Sequence, residues 1–287
     1  MSATLTPPTG PQPNPPVSPP PPQRGSAGRV VAIIAIVVGA LLVVGTITAG
    51  ILGAVARASG PADERIVVDA AGVESLDVDV AAGDVRVLFT DTDEAVLDVT
   101  ADSGAGRWSL TREGDELVVR SPDRWFGGWW FYEGPTRVVL ELPEDLQGAA
   151  LDAKLTLSAG SLDVDGDFGV LDLEVNAGEL TLAGEADEVT ASVNAGRADL
   201  EIANVSDAGL DVSAGGLKAV FTGSAPDDVA IDVSAGSLDL TVPSGAYRVD
   251  SDVSAGGLDN RLETSSSASR VITVSVSAGD ATLRSGR

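Results

Sequence analysis

Eight times the chain passes through a small-residue turn of the form (Ser/Asn/Ala)-Ala-Gly, with its glycines at Gly83, Gly160, Gly178, Gly196, Gly215, Gly236, Gly256 and Gly279. From Gly160 onward the spacings are 18, 18, 19, 21, 20 and 23 residues, a period in the range of stacked repeats. Before the turns, apolar residues alternate with polar ones and the alternation ends on the Ala, as in Leu155, Leu157, Ala159 and Leu210, Val212, Ala214. Spacing by two marks the single buried face of a strand. After the turns the first inward residue lies three beyond the Ala, as in Leu162, Leu180, Ala198, Leu217, Leu238, Leu258 and Ala281, and alternation then resumes. A one-residue slip in a flat strand would send every later side chain to the wrong face. The chain must therefore bend at each Ala-Gly, where Gly tolerates positive φ.

The pattern predicts an all-β fold, a parallel β-solenoid (β-helix-like) of about eight rungs over 66–287, with a strand-and-aromatic-loop insertion at about 91–150. Rungs stack at about 4.8 Å, and a thin interior accounts for aromatics at only 4% of the chain. Ser158, Asn176, Asn194, Ser213, Ser234, Ser254 and Ser277 share one position before the corner, where turn chemistry outweighs a functional row.

The rest of the chain is segmental. Ten of the 16 prolines fall within Pro7–Pro22, where fixed φ and missing N–H donors favour a solvated, extended tail over 1–29. Pro19, Pro22 and Arg24 fit a PxxPxR pattern, but so dense a proline run makes chance matches easy. Val30 to Ala56 is a 27-residue stretch without a charge, about 40 Å as a helix against a hydrocarbon core of about 30 Å. It is expected to be a transmembrane helix over 30–56, followed by a linker over 57–65. It is too long for the apolar region of a cleaved signal peptide. The flanking arginines tie, Arg24 and Arg29 against Arg57 and Arg65, so orientation rests on the usual layout of a short tail before a first span. This places the N-terminus in the cytoplasm and the C-terminal domain outside a bacterial cell membrane. Homo-oligomers through the helix or the terminal rung are open partners.

Cys and His are both absent, which excludes disulfides, thiolate nucleophiles, His-based triads and imidazole metal ligands. No cofactor is expected. Residues 61–287 hold 15 bases and 43 acids, a net charge of −28 within a chain of −25, a field that repels nucleic acid. Asp163, Asp165, Asp167 and Glu174 have the spacing of a calcium loop, but Phe168 stands where such a loop needs Gly, and no metal is assigned.

One segment departs from the acidic pattern. Arg124, Trp125, Phe126, Trp129, Trp130, Phe131 and Tyr132 place six of the 11 aromatics in nine residues around Gly127-Gly128. They read as a loop, serving either as a cap on the open end of the fold or as a binding site for an envelope polysaccharide or protein.

The repeated Ala-Gly turns and the Leu-Asp-Val strands, over about Ile66 to Arg287, resemble the bacterial "putative adhesin" domains of unknown function. The resemblance implies a cell-envelope location and a non-enzymatic interaction role, and it brings no catalytic residues. A carboxylate-based polysaccharide hydrolase or lyase is the alternative, and a sensor of envelope state signalling through the proline-rich tail is another.

Overall fold

Alternating apolar runs become strands in the computed structural model, which describes residues 62–101, 108–122, 136–149 and 151–286. In chain order the described strands begin with β1 (Ala62–Asp69), β2 (Ser75–Val80), β3 (Gly83–Thr90), β4 (Glu94–Ala101), β5 (Ser109–Glu113), β6 (Glu116–Arg120) and β7 (Thr136–Pro143). A 3₁₀ turn at Glu144–Ala149 precedes β8 (Asp152–Leu157), β9 (Gly160–Asp165), β10 (Phe168–Val175), β11 (Glu179–Val193), β12 (Arg197–Ala203), β13 (Asp207–Val212) and β14 (Gly216–Thr222). The chain ends with β15 (Asp228–Val233), β16 (Ser237–Val242), β17 (Ala246–Val253), β18 (Gly257–Asn260), β19 (Glu263–Thr264), β20 (Val271–Val276) and β21 (Asp280–Ser285).

Two hydrogen-bonded ladders organise these strands. The leading ladder joins the strands that run into the turns, in the order β2, β8, β10, the second half of β11, β13, β15, β20 and β17. The trailing ladder joins those that leave them, in the order β3, β9, the first half of β11, β12, β14, β16, β21 and β18. Equivalent residues face one another in register, for example Leu210 with Ile231 and Leu217 with Leu238. Pairing does not follow chain order at the end, because β20 and β21 lie between β15–β16 and β17–β18.

The expectation of a parallel solenoid led by a helix is overturned. The described sheet of 21 strands is mixed, since β4 pairs antiparallel with both β1 and β7, and β5 pairs antiparallel with β6. Connection length explains the last of these. Only Gly114 and Asp115 join β5 to β6, with Gly114 at φ 75, and two residues can close a hairpin but cannot cross over to a parallel neighbour. The expected transmembrane helix over 30–56 lies outside the described residues, and among those described no helix is long and apolar enough to cross a membrane.

The turns also differ from the expected geometry. Inward alternation stops one step earlier, at Val175, Val193, Val212 and Val233, while Ala177, Ala195, Ala214 and Ala235 are exposed at the bend. Three residues, such as Asn194-Ala195-Gly196, make the corner, so five positions separate inward Val193 from inward Ala198.

The interior is one apolar cluster running from Ala70 to Leu283, and among the described residues no polar or charged residue is buried. Each fully buried Leu or Val contributes about 1.5–3 kcal/mol. The described ladders and this core fall within the unit Gly53–Arg287, so that unit contains what it needs to fold alone.

Candidate functional site

The glycines of the turns form a column in the order Gly83, Gly160, Gly178, Gly196, Gly215, Gly236, Gly279 and Gly256. Two different demands fix them. Gly83, Gly160, Gly178 and Gly256 have φ of 141°, 106°, 133° and 118°, values open to Gly at no steric cost. Gly196, Gly215, Gly236 and Gly279 have no such φ, and close approach selects Gly there. A Cβ on Gly196 would stand 2.6 Å from the carbonyl oxygen of Gly178 and 2.7 Å from Val175 Cγ1. That same oxygen accepts the Arg197 N–H at 2.8 Å, so the column keeps adjacent turns close enough to bond.

The polar position before each corner is tied chiefly through its backbone. Asn194 N–H donates to Val175, Ser213 N–H to Val193 and Ser234 N–H to Val212. A side-chain ladder forms where the residue is Asn, with Asn194 Nδ2 donating to Asn176 Oδ1 at 2.8 Å and Asn176 Nδ2 to Glu174 Oε1 at 3.1 Å.

The calcium-like spacing is not gathered in space. Asp163 lies on β9 of the trailing ladder, where Arg86 reaches it at 3.4 Å, whereas Glu174 lies on β10 of the leading ladder and accepts from Asn176. Asp167 Oδ1 accepts the Glu185 N–H at 3.0 Å. Among the described residues no group of three or more acids is placed to hold a metal ion.

Arg124, Trp125, Phe126, Trp129, Trp130, Phe131 and Tyr132 lie outside the described residues. The strands on either side of them, β6 and β7, belong to the end of the ladders where β2 and β3 stand.

Register sorts the acids in a way the linear sequence does not. On the leading face Glu188, Asp207 and Asp228 occupy one row across neighbouring strands, with Asp211 and Asp232 in a parallel row. A shallow depression of about 170 Å³ lies along the first row, floored by Thr190 and Gly209. The trailing face interleaves bases with its acids, and Arg86–Asp163 at 3.4 Å and Arg284–Asp239 at 3.1 Å form ion pairs across neighbouring strands. The two faces thus differ in charge pattern. A period near 20 residues sets each row, so the signal is visible only after the strands are aligned in register.

No family model matches the chain, and no curated protein matches it. Among solved structures it is similar to a "putative adhesin" from Bacteroides fragilis, at 13% identity and TM-score 0.43 over 78% of this chain and 97% of that one. It is also similar to a "putative cell adhesion protein" from Clostridium sporogenes, at 10% identity and TM-score 0.33 over 79% and 100% of the two chains. A "putative lipid binding protein" from Parabacteroides distasonis matches at 12% identity and TM-score 0.37 over 78% and 97%. At these TM-scores the likeness carries no argument about what this chain binds.

Proposed function

We propose that this chain is a single-pass membrane protein whose C-terminal β domain is held outside the cell and binds an envelope polysaccharide or protein without catalysis. The observation that carries the reading is the construction of the two faces. Their outward side chains are solvated and arranged in straight rows, over an interior that is purely apolar among the described residues. Such faces offer a partner a flat, ordered surface of carboxylates. The uncharged stretch over 30–56 supports the anchor, and the Arg-flanked aromatics from Arg124 to Tyr132 supply the kind of side chains that dominate binding energy.

Three measurements test the reading. Protease added to intact cells is expected to remove the β domain; protection of that domain overturns the topology. The Trp129→Ala, Trp130→Ala double variant of the displayed chain is expected to melt as the parent does and to lose binding on a carbohydrate array or to immobilised envelope protein. Release of reducing ends from any bound polysaccharide would replace the binding role with an enzymatic one.

A further inference from the structure

The last two layers of the ladders fit one and the same slot. In chain order β17 and β18 follow β16, and Gly256 stands 20 residues after Gly236, within the period of the repeat. The place beside β15 and β16 is nevertheless filled by β20 and β21, with β17 and β18 stacked outside them. Both layers bond inward through equivalent positions. Val271, Ser277 and Asp280 donate their N–H groups to Asp227, Val233 and Gly236, and Arg248, Ser254 and Gly257 donate theirs to Arg270, Val276 and Gly279. Each layer also turns on a glycine of the column, Gly279 against Gly236 and Gly256 against Gly279. The register is shared as well, since Ile231, Val274 and Ser251 are aligned on the leading ladder and Leu240, Leu283 and Asn260 on the trailing one.

Connection lengths permit either order. Residues 243–245 join β16 to β17 across two strand spacings, about 9.6 Å, whereas the equally long link 204–206 joins β12 to β13 across one. The ten residues between β18 and β20 serve a step in either direction.

Side-chain polarity selects between the orders. β20 and β21 turn Ile272, Val274, Val276, Ala281 and Leu283 inward, and all five are buried. β17 and β18 place Ser251 and Asn260 at inward positions, and both are exposed. Were β17 and β18 to stack directly on β15 and β16, Ser251 would be enclosed between Ile231 and Val274, and Asn260 between Leu240 and Leu283. Asn260 Oδ1 would keep the Leu262 N–H that it accepts at 3.0 Å, but its Nδ2 and the Ser251 hydroxyl would be shut away without partners. Polar inward positions therefore belong in a terminal layer, where they act as a cap.

We infer that the C-terminal end of the domain winds in two orders: the capped order of this structure, and a minor chain-order state in which β17 and β18 take the inner slot and β20 and β21 lie outermost. Both orders use equivalent backbone donors and acceptors, so the balance between them rests on a few side chains. The minor state leaves Ile272, Val274, Val276 and Leu283 uncovered beside unpaired backbone, an edge of the kind that accepts another strand. The capped order hides that edge, which makes the layer of Ser251 and Asn260 a gate on it.

Engineered disulfides test the inference, because the chain has no cysteine of its own. Ala230, Thr273 and Asp250 share one exposed row. In the capped order Ala230 neighbours Thr273 at one strand spacing, about 4.8 Å, and Asp250 lies two spacings off, beyond the reach of a disulfide. In chain order Asp250 is the neighbour. Residues 53–287 carrying A230C and D250C, held dilute in a glutathione redox buffer, are expected to form the intrachain bridge slowly, as read by peptide mass mapping. Adding S251V and N260L is expected to accelerate it on the order of a hundredfold, about tenfold for each enclosed polar group. The matched control is T190C with A230C, two spacings apart in both orders and bridged only by unfolding. Melting curves verify that S251V and N260L leave the domain folded, and the parent arm decides alone if they do not. An A230C–D250C bridge no faster than the control's, or no faster with S251V and N260L than without them in the folded domain, overturns the inference.

Discussion

Gly196→Ala and Gly216→Ala exchange the same atoms twenty residues apart and should behave in opposite ways. At Gly196 the new methyl would lie 2.6 Å from the Gly178 oxygen and 2.7 Å from Val175 Cγ1, so relief requires the two turns to part by about 0.8 Å, to ordinary van der Waals separation. The bonds that resist are Arg197 N–H to Gly178 at 2.8 Å and Ala195 N–H to Asn176 at 3.0 Å. Stretching both beyond hydrogen-bond range costs about 1 kcal/mol each, and overpacking adds about 1–3 kcal/mol. Restricting the unfolded chain returns about 0.4–1 kcal/mol. The net cost is about 2–4 kcal/mol, a fall in Tm of roughly 5–15 °C for a domain of this size. At Gly216 the methyl would stand 3.5 Å from Ser237 Oγ, an ordinary contact, so the unfolded-state term is the main one and Tm should hold or rise slightly. Calorimetry on residues 53–287 measures both. Equal changes at the two positions would refute the close-approach account of the column.

Tyr247 is fully buried and its hydroxyl donates to the Pro243 carbonyl at 2.8 Å; Tyr247→Phe should cost about 1 kcal/mol in urea unfolding. Burial raises the pKa of that phenol above its usual value of 10.0, with Arg270 opposing. Its contribution to stability is therefore full below pH about 10 and is lost as pH rises through the higher folded value; the Phe variant should lack this alkaline loss. The hydrogen bond from Arg261 holds the exposed Asp259 carboxyl below its usual range. Its favourable contribution is present above the unfolded carboxylate range and disappears as pH falls through the folded value, and carbon-detected NMR should show the Asp259 midpoint rising in Arg261→Ala. Leu210, buried in the middle of the leading ladder, should cost about 2–5 kcal/mol on truncation to Ala. Leu258, half-buried in the last layer, should cost clearly less in the dilute protein, as denaturant midpoints will show.

Inward residues were legible wherever a polar partner stood between them. Leu210-Asp211-Val212 and Leu238-Asp239-Leu240 announce a half-buried strand through a period of two, and they occupy buried inward positions. The bend at each Gly was legible too, because the phase slip admits no straight strand. The corner alanines misled because Ala fits both an inward alternation and an exposed bend; only the third bend residue decides, and no local pattern encodes it. The reason for glycine was half visible. Positive φ can be expected at a turn, whereas the clash at Gly196 comes from a carbonyl eighteen residues away. Charge segregation was hidden for the same reason, since Glu188, Asp207 and Asp228 become neighbours only in register. The antiparallel pairing of β5 with β6 follows connection length, and the Gly114 hairpin could have revealed it.

The placement of β20 and β21 between earlier strands has a consequence for synthesis. A chain leaving the ribosome can add each layer to the one before it through β16, since every template is already present. β17 and β18 emerge next and, apart from the two-residue pairing of β17 with β19, have no neighbour of the finished fold to bond, because β20 and β21 are made after them. Their bonds to the rest of the ladders form only once Val271–Ser285 is released and takes its place between. Completion of the last two layers thus waits on Val271–Ser285, and a chain cut before Val271 forfeits both.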